Sequence, residues 1–277
     1  MSYGIILSMI EELILGVVQG ITEWLPLSSS GMLLLIETNF FADIHGTFVE
    51  KLQFIAFLHL GTSFAILIYF KKDVWNLIKT FFSYKKSTLE NQIVLKFFII
   101  TTIVTGIIGL ILKELLEYIE NIIAISSPLL NIIIGMLLII TGILSFKKET
   151  AKKSRGLGEL TIFDSIITGL SQGLSAIPGI SRSGVTIAVL LFRNIEKTTA
   201  LHLSFIVALP IVLGANILLE TEYLLFSTVN LAACFLSFVF GILTIHTLLR
   251  FAELVNIGYF VIIFGILLVL ASFLPLG

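Results

Sequence analysis

Charge is what this 277-residue sequence has little of. Asp, Glu, Lys and Arg make up 13% of it, against 57% hydrophobic residues, and the mean hydropathy is +1.08. A soluble domain is charged at about 25% of its positions, so a soluble globular fold is excluded and a polytopic membrane protein is implied. Cysteine is nearly absent: Cys234 stands alone in an apolar run, cannot form an internal disulfide, and reads as a small packed residue. The sequence has no zinc-binding His/Cys spacing, no Walker loop and no dinucleotide fingerprint, and nucleic acid is not expected as a partner. The N-terminus lacks a basic region and carries Glu11 and Glu12, so it does not read as a cleaved signal peptide.

Long apolar runs are what the sequence has instead. A membrane span needs about 20 mainly apolar residues, and six stretches qualify, at roughly 52–70, 92–112, 127–146, 199–219, 225–247 and 255–275. The loop after the first carries Lys71, Lys72, Lys79, Lys85 and Lys86, and the loop after the third carries Lys147, Lys148, Lys152, Lys153 and Arg155. Arg250 follows the fifth. The segments after the second and fourth are acidic instead, with Glu114, Glu117 and Glu120, and with Glu220 and Glu222. Basic loops stay on the cytoplasmic side, so both termini are expected outside a multi-pass cell-membrane protein. The basic 147–158 loop joins the halves, and contact there with anionic membrane lipids is compatible with its charge.

Two segments break the apolar pattern, and they are near copies. Gln19–Met32 reads QGITEWLPLSSSGM, and Gln172–Thr186 reads QGLSAIPGISRSGVT. A shift of 153 residues places Gly169 on Gly16, Gln172 on Gln19, Gly173 on Gly20, Ser181 on Ser28, Ser183 on Ser30 and Gly184 on Gly31. Arg182 then falls on Ser29 and Ala176 on Glu23. Each segment precedes three spans, which divides a single membrane domain, residues 1–277, into repeats of about 1–146 and 160–277. The expected fold is all-α: six transmembrane helices plus two re-entrant helix-turn-helix hairpins, as an inverted-topology repeat with the hairpin tips facing each other. Hairpin one would open from outside and hairpin two from the cytoplasm. Broken backbone at membrane depth survives only when protein or a watery cavity covers it; two kinked full spans are the alternative.

The chemistry-bearing residues lie in those two turns. An arginine inside a buried hairpin is costly unless paired or solvated, and the Arg182 fork matches two phosphate oxygens. Ser181 and Ser183 flank it with hydroxyls, and Gly179 and Gly184 permit close backbone approach. Together they suggest a diphosphate cradle; the plainer reading is an Arg182–Glu23 pair that merely locks the hairpins. Glu23 is the one carboxylate at membrane depth in hairpin one, and Gln19 shares its helix face. It suits either a divalent-cation ligand or a general base. Ser28, Ser29 and Ser30 supply a helix cap, anion donors and a candidate nucleophile. His59 and His202, in similar Leu-His-Leu contexts, either support the hairpins or touch the ligand. His45 falls in a polar external loop, and His246 near a span end.

These motifs resemble those of the bacitracin-resistance family of undecaprenyl-diphosphate phosphatases. The first is Gln19-Gly20-Ile21-Thr22-Glu23 followed by Pro26 and Ser28-Ser29-Ser30-Gly31; the second runs from Pro178 through Ser181-Arg182-Ser183-Gly184 to Thr186. The similarity extends to His59-Leu60-Gly61-Thr62 and to the stretch from Ser204-Phe205 through Pro210. The resemblance implies hydrolysis of a polyprenyl diphosphate lipid to the monophosphate at the outer face of the membrane, with Mg²⁺ or Ca²⁺. It implies catalytic roles for Glu23, Ser29 and Arg182, with Glu23 also at the metal. Gln19, Ser28, Ser30, Gly179, Ser181, Ser183 and Thr186 would bind substrate. One position departs: after the glycine of the first motif the family often has histidine, and here it is Met32. That keeps a second function in view, a polyprenyl-phosphate lipid transporter (flippase) with weak or no phosphatase activity. A second copy of the chain, as a homodimer, is the remaining partner considered.

Overall fold

The computed structural model describes residues 2–25, 28–41, 47–122, 127–144, 154–177 and 179–254, with isolated positions between 259 and 270. The described residues form helices, three short 3-10 turns and one isolated bridge, Arg155 to Ile195. In chain order the helices are α1 (Ser2–Thr22), α2 (Ser29–Phe40), α3 (Phe48–Tyr69), α4 (Lys71–Phe82), α5 (Leu89–Ile122), α6 (Ser127–Leu144), α7 (Ile162–Leu174), α8 (Arg182–Phe192), α9 (Lys197–Ile206), α10 (Ala208–Leu218) and α11 (Thr228–Leu254).

Four helical stretches are long and apolar enough to cross a membrane: Phe48–Tyr69, Leu89–Leu115, Lys197–Leu218 and Thr228–Thr247. These fall on the expected first, second, fourth and fifth spans. Helix α6 falls on the third, and residues 255–275, the expected sixth, lie mostly outside the described residues. The exposed face of α5 carries Ile99, Ile103, Ile107, Leu110 and Ile111. An apolar stripe at helical spacing on an outer surface is what lipid, not water, requires.

The two motif segments are helix-turn-helix units. Helix α1 stops at Thr22 and α2 starts at Ser29; α7 stops at Leu174 and α8 starts at Arg182. Ser28 caps α2 by accepting from Gly31 N at 3.1 Å, and Ser181 caps α8 by accepting from Gly184 N at 3.1 Å. These capping serines are partners in the 153-residue register. Each turn thus leaves the first amides of a helix unpaired by the helix itself.

Each hairpin packs on a helix of the other half: α1 lies on α11, and α7 lies on α5. Small residues make this close approach. A Cβ on Gly16 would sit 2.2 Å from the Ala233 carbonyl oxygen, and one on Gly20 2.6 Å from that of Ser237. Their register partners do the same job: a Cβ on Gly169 would meet Val104 at 2.7 Å and one on Gly173 would meet Ile108 at 2.5 Å. Hydroxyls add helix-to-helix bonds of the kind small-residue membrane interfaces use. Thr101 Oγ1 donates to Ser165 O and Thr105 Oγ1 to Gly169 O, both at 3.1 Å. Thr244 Oγ1 donates to Gly20 O at 3.2 Å.

One pair of register partners differs in packing, and that difference lies where the molecule is open. Gly61 of α3 and Gly214 of α10 are register partners. A Cβ on Gly61 would lie 2.3 Å from the Cys234 carbonyl oxygen, so α3 is jammed against α11; a Cβ on Gly214 would meet nothing within 4 Å. Gly106 and Gly109 of α5 also face open space. The fourth span is broken at Val207 between α9 and α10, with Pro210 in the first turn of α10. Proline cannot supply the backbone bond to residue 206, and Phe57, its counterpart in α3, imposes no such break. Helix α10 packs on α5 less closely than α3 packs on α11.

The base of α7 is tied down by charge. Asp164 is fully buried and accepts from Arg155 Nη2 and from Arg193 Nε, each at 2.7 Å, and from Thr161 Oγ1 at 2.7 Å. Burial alone would raise this carboxyl, but the donors of Arg155, Arg193 and Thr161 outweigh it and hold it well below the usual carboxylate range. The cluster joins the connecting loop, the start of α7 and the end of α8.

Candidate active site

The turns between α1 and α2 and between α7 and α8 meet. Gly179 N donates to Ser28 Oγ at 3.1 Å, and Ser183 Oγ donates to Leu25 O at 3.3 Å. A Cβ on Gly31 would come within 3.1 Å of Gly179 N, so the two glycines are what lets the turns touch. Gly179 has φ 101°, a left-handed conformation that disfavours any side chain.

Glu23 is at the centre of this contact. Its Oε1 is ion-paired with Arg182 Nη2. Its Oε2 accepts from Gln19 Nε2 at 2.9 Å and from Ser29 Oγ at 2.8 Å, with His59 Nε2 at 3.2 Å. Arg182 Nη1 donates to the Ser204 carbonyl at 3.1 Å, and Gln172 Nε2 donates to the Val207 carbonyl at 3.2 Å. Both carbonyls lie at the break in the fourth span. The Pro210 kink thus serves the site as well as opening the cleft.

His59 Nδ1 lies 2.7 Å from the Ile55 carbonyl. A carbonyl only accepts, so Nδ1 carries the proton. That leaves Nε2 directed at Ser29 Oγ, 3.3 Å away, and at Glu23. The ring is a proton acceptor for the serine or, once protonated, a donor to the carboxylate.

A cavity of about 420 Å³ opens onto Glu23, Ser28, Ser29, Ser30, Arg182 and Ser183. It runs between α5 and α10, past Gly106, Gly109 and Gly214, to Phe48, Lys113 and Leu218. The polar end is therefore a deep floor, and the rest is an apolar cleft. Among the expected site residues, Gln19, Ser181 and Thr186 are fully buried behind that floor. Gln19 orients Glu23, Ser181 caps α8, and Thr186 Oγ1 is 2.6 Å from Ser204 Oγ. Gly179 braces the turn. His202 stands elsewhere, 3.4 Å from Asp73.

Glu23 is the one carboxylate on the cavity wall among the described residues, and those residues hold no cluster of three His, Cys, Asp or Glu side chains able to cage a metal. A single carboxylate fits an ion of the Mg²⁺ type, which takes one or two carboxylates and completes its shell with substrate phosphates and water.

The sequence pattern of the family described as bacitracin resistance protein BacA matches residues 12–271. The chain belongs to the BacA family. Curated BacA-type relatives agree over nearly full length. The undecaprenyl-diphosphatase of Methanococcoides burtonii is 38% identical over 273 residues, 97% of this chain and 100% of that one. Undecaprenyl-diphosphatase 1 of Shouchella clausii is 37% identical over 276 residues, 94% and 95% of the two chains. The undecaprenyl-diphosphatase of Saccharolobus solfataricus is 33% identical over 278 residues, 94% of each. Within this BacA chain, His59 was only half legible from sequence. It has no histidine partner in the repeat, since the register places it on Val212. Ser204 and Gln172 were not legible as site-building residues at all, because their contacts depend on the break at Val207.

Proposed function

We propose that this chain is an integral-membrane phosphatase that hydrolyses undecaprenyl diphosphate to the monophosphate and inorganic phosphate, recycling the carrier lipid of envelope glycan synthesis and conferring bacitracin resistance. The observation that carries this is the meeting of Arg182, Glu23, Ser29 and His59 at the polar floor of an apolar cleft, in a chain with full-length undecaprenyl-diphosphatase relatives. Polar floor and apolar cleft suit the two ends of a prenyl diphosphate.

The Arg182 fork and the amides at the starts of α2 and α8 would hold the phosphate oxygens. Ser29 Oγ would attack the terminal phosphorus while its proton passes to Glu23 or to His59 Nε2, both already in contact with it. The bond from phosphorus to the bridging oxygen breaks, and polyprenyl monophosphate leaves. Water then cleaves the phosphoserine, inorganic phosphate departs and Ser29 regains its proton. A divalent cation, Mg²⁺ or Ca²⁺, held by Glu23 and the substrate phosphates, would neutralise charge on those phosphates. His59 would supply the imidazole that Met32 does not.

The membrane layout we infer is six spans and two re-entrant hairpins in inverted repeat, both termini outside. The mouth of the cleft would lie near Phe48, Lys113 and Leu218, which line it, at span ends that the loop charges favour for the outer face. A prenyl tail would leave the floor between α5 and α10.

One observation favours a second reading. The register-related helix pairs differ, with α3 closed on α11 and α10 less closely packed on α5, as in a carrier caught open to one side. The assay that separates the two is phosphate release by purified protein given undecaprenyl diphosphate and Mg²⁺. The phosphatase reading expects release by wild type and its loss in Arg182→Ala. Lipid binding without any release from wild type would favour transport instead.

A further inference from the structure

We propose that α4 and the turn after it form a docking surface for anionic phospholipid on the cytoplasmic leaflet. Helix α4 is amphipathic. Val74 and Leu77 are half-buried and Thr80 is buried, on the face turned to α3 and α5. The opposite face repeats Lys71, Trp75, Ile78, Lys79 and Phe82 at helical spacing. Trp75 is 65% exposed and Phe82 81% exposed, which is unfavourable in water. Nothing in the described chain covers them.

Position decides what does. α3 ends its span at Tyr69, and α4 starts at Lys71, so the exposed face lies where hydrocarbon gives way to headgroups. Aromatic rings favour that depth, and lysine stems reach along it to place their ammonium groups at phosphates. Lys72, Lys85 and Lys86 extend the basic surface. Among the described residues, no carboxylate pairs with any of these five lysines. The one acid of α4, Asp73, is instead 3.4 Å from His202 Nε2, and Phe70 stacks on the same imidazole with centroids 5.2 Å apart. The surface is also preformed. Gln92 Nε2 donates to the carbonyls of Tyr84 at 2.9 Å and Ser87 at 3.0 Å, and Ser83 N donates to Lys79 O at 2.9 Å. An aromatic and lysine face with fixed geometry at the bilayer boundary selects an anionic headgroup over a zwitterionic one. This rests on the chain's place in a membrane and is independent of the reaction it performs.

The chain has two tryptophans, and Trp24 is buried, so Trp75 is a native reporter. Full-length protein is reconstituted in mixed phosphatidylglycerol and phosphatidylcholine vesicles, with brominated acyl chains on one lipid or the other. The Trp24 signal is taken from Trp75→Phe and subtracted. Quenching of Trp75 is expected to be about two-fold or more stronger when phosphatidylglycerol carries the bromine. The combined variant Lys71→Gln, Lys72→Gln, Lys79→Gln, Lys85→Gln, Lys86→Gln is expected to lose that preference while Trp75 remains quenched. Equal quenching by the two lipids in wild type, or a preference that survives the five substitutions, overturns the proposal. So does a Trp75 reached by aqueous acrylamide and not by bromine, or one shielded from both, which would assign the face to water or to another protein copy.

Discussion

At the scale of single residues, the site is a carboxylate with donors on both oxygens, and each donor has a separable consequence. Ser29→Ala removes the proposed nucleophile and leaves Arg182 and the capped helices in place. Phosphate release is expected to fall about 1,000-fold or more with substrate binding retained, read by release assays beside lipid-binding titrations. Retained turnover would put a water in the place of Ser29. His59→Asn keeps a donor at the Nδ1 position for the Ile55 carbonyl but has no ring to take a proton. A fall in kcat of about 100-fold is expected, with little change in KM or Tm. A purely structural His59 would instead show as lost Tm with kcat unchanged. The glycines, serines and the arginine of the two turns were readable in the sequence because such residues are out of place in apolar runs. His59 was only half legible, because one histidine in an apolar helix looks the same whether it packs or reacts.

At the scale of elements, the fold depends on where helices touch and where they part. Gly61→Leu forces a side chain into the Cys234 backbone and is expected to destabilise the protein by about 3 kcal/mol or more, seen as lost folded yield and lower Tm. Gly214→Leu, its register partner, enters the open cleft. Stability should hold, while KM for undecaprenyl diphosphate rises about 10-fold and KM for farnesyl diphosphate rises less. Equal effects on both lipids would remove the tail from that cleft. The sequence repeat predicts matching pairs, so this asymmetry could not be read from it; it arises from Pro210, which has Phe57 as its counterpart. Helix α4 is not legible in the sequence, where its lysines mark only the basic loop after the first span.

The Asp164 cluster carries a pH prediction at the same scale. Its folded carboxyl is held below the unfolded value, so its stabilisation is fully present above the ordinary aspartate range and is lost as pH falls through the depressed value. Asp164→Asn leaves Arg155 and Arg193 unpaired beside a neutral group and is expected to cost about 3 kcal/mol at neutral pH. The gap between mutant and wild type in thermal melts should narrow in acid. A gap that widens as pH falls would contradict the sign.

At the scale of the whole molecule, two hairpins that each pack on the opposite half bring their turns to one point. Apolar run lengths made four of the spans legible. The 153-residue register made the hairpins legible, and the register partners Gly16, Gly20, Gly169 and Gly173 pack alike. The Arg182 to Glu23 pair was legible with them, because facing turns bring the one arginine to the one carboxylate; the bond from Arg182 to the Ser204 carbonyl follows only once the fourth span is placed. If Arg182 and Glu23 are one phosphate-holding unit, its members cannot contribute independently. The decisive measurement is inorganic phosphate release from undecaprenyl diphosphate by Glu23→Gln, Arg182→Ala and the double variant. A double variant no more impaired than the worse single one is the expected result. Losses that multiply, or either single variant turning over at the wild-type rate, would place the two residues in separate roles and contradict a shared site.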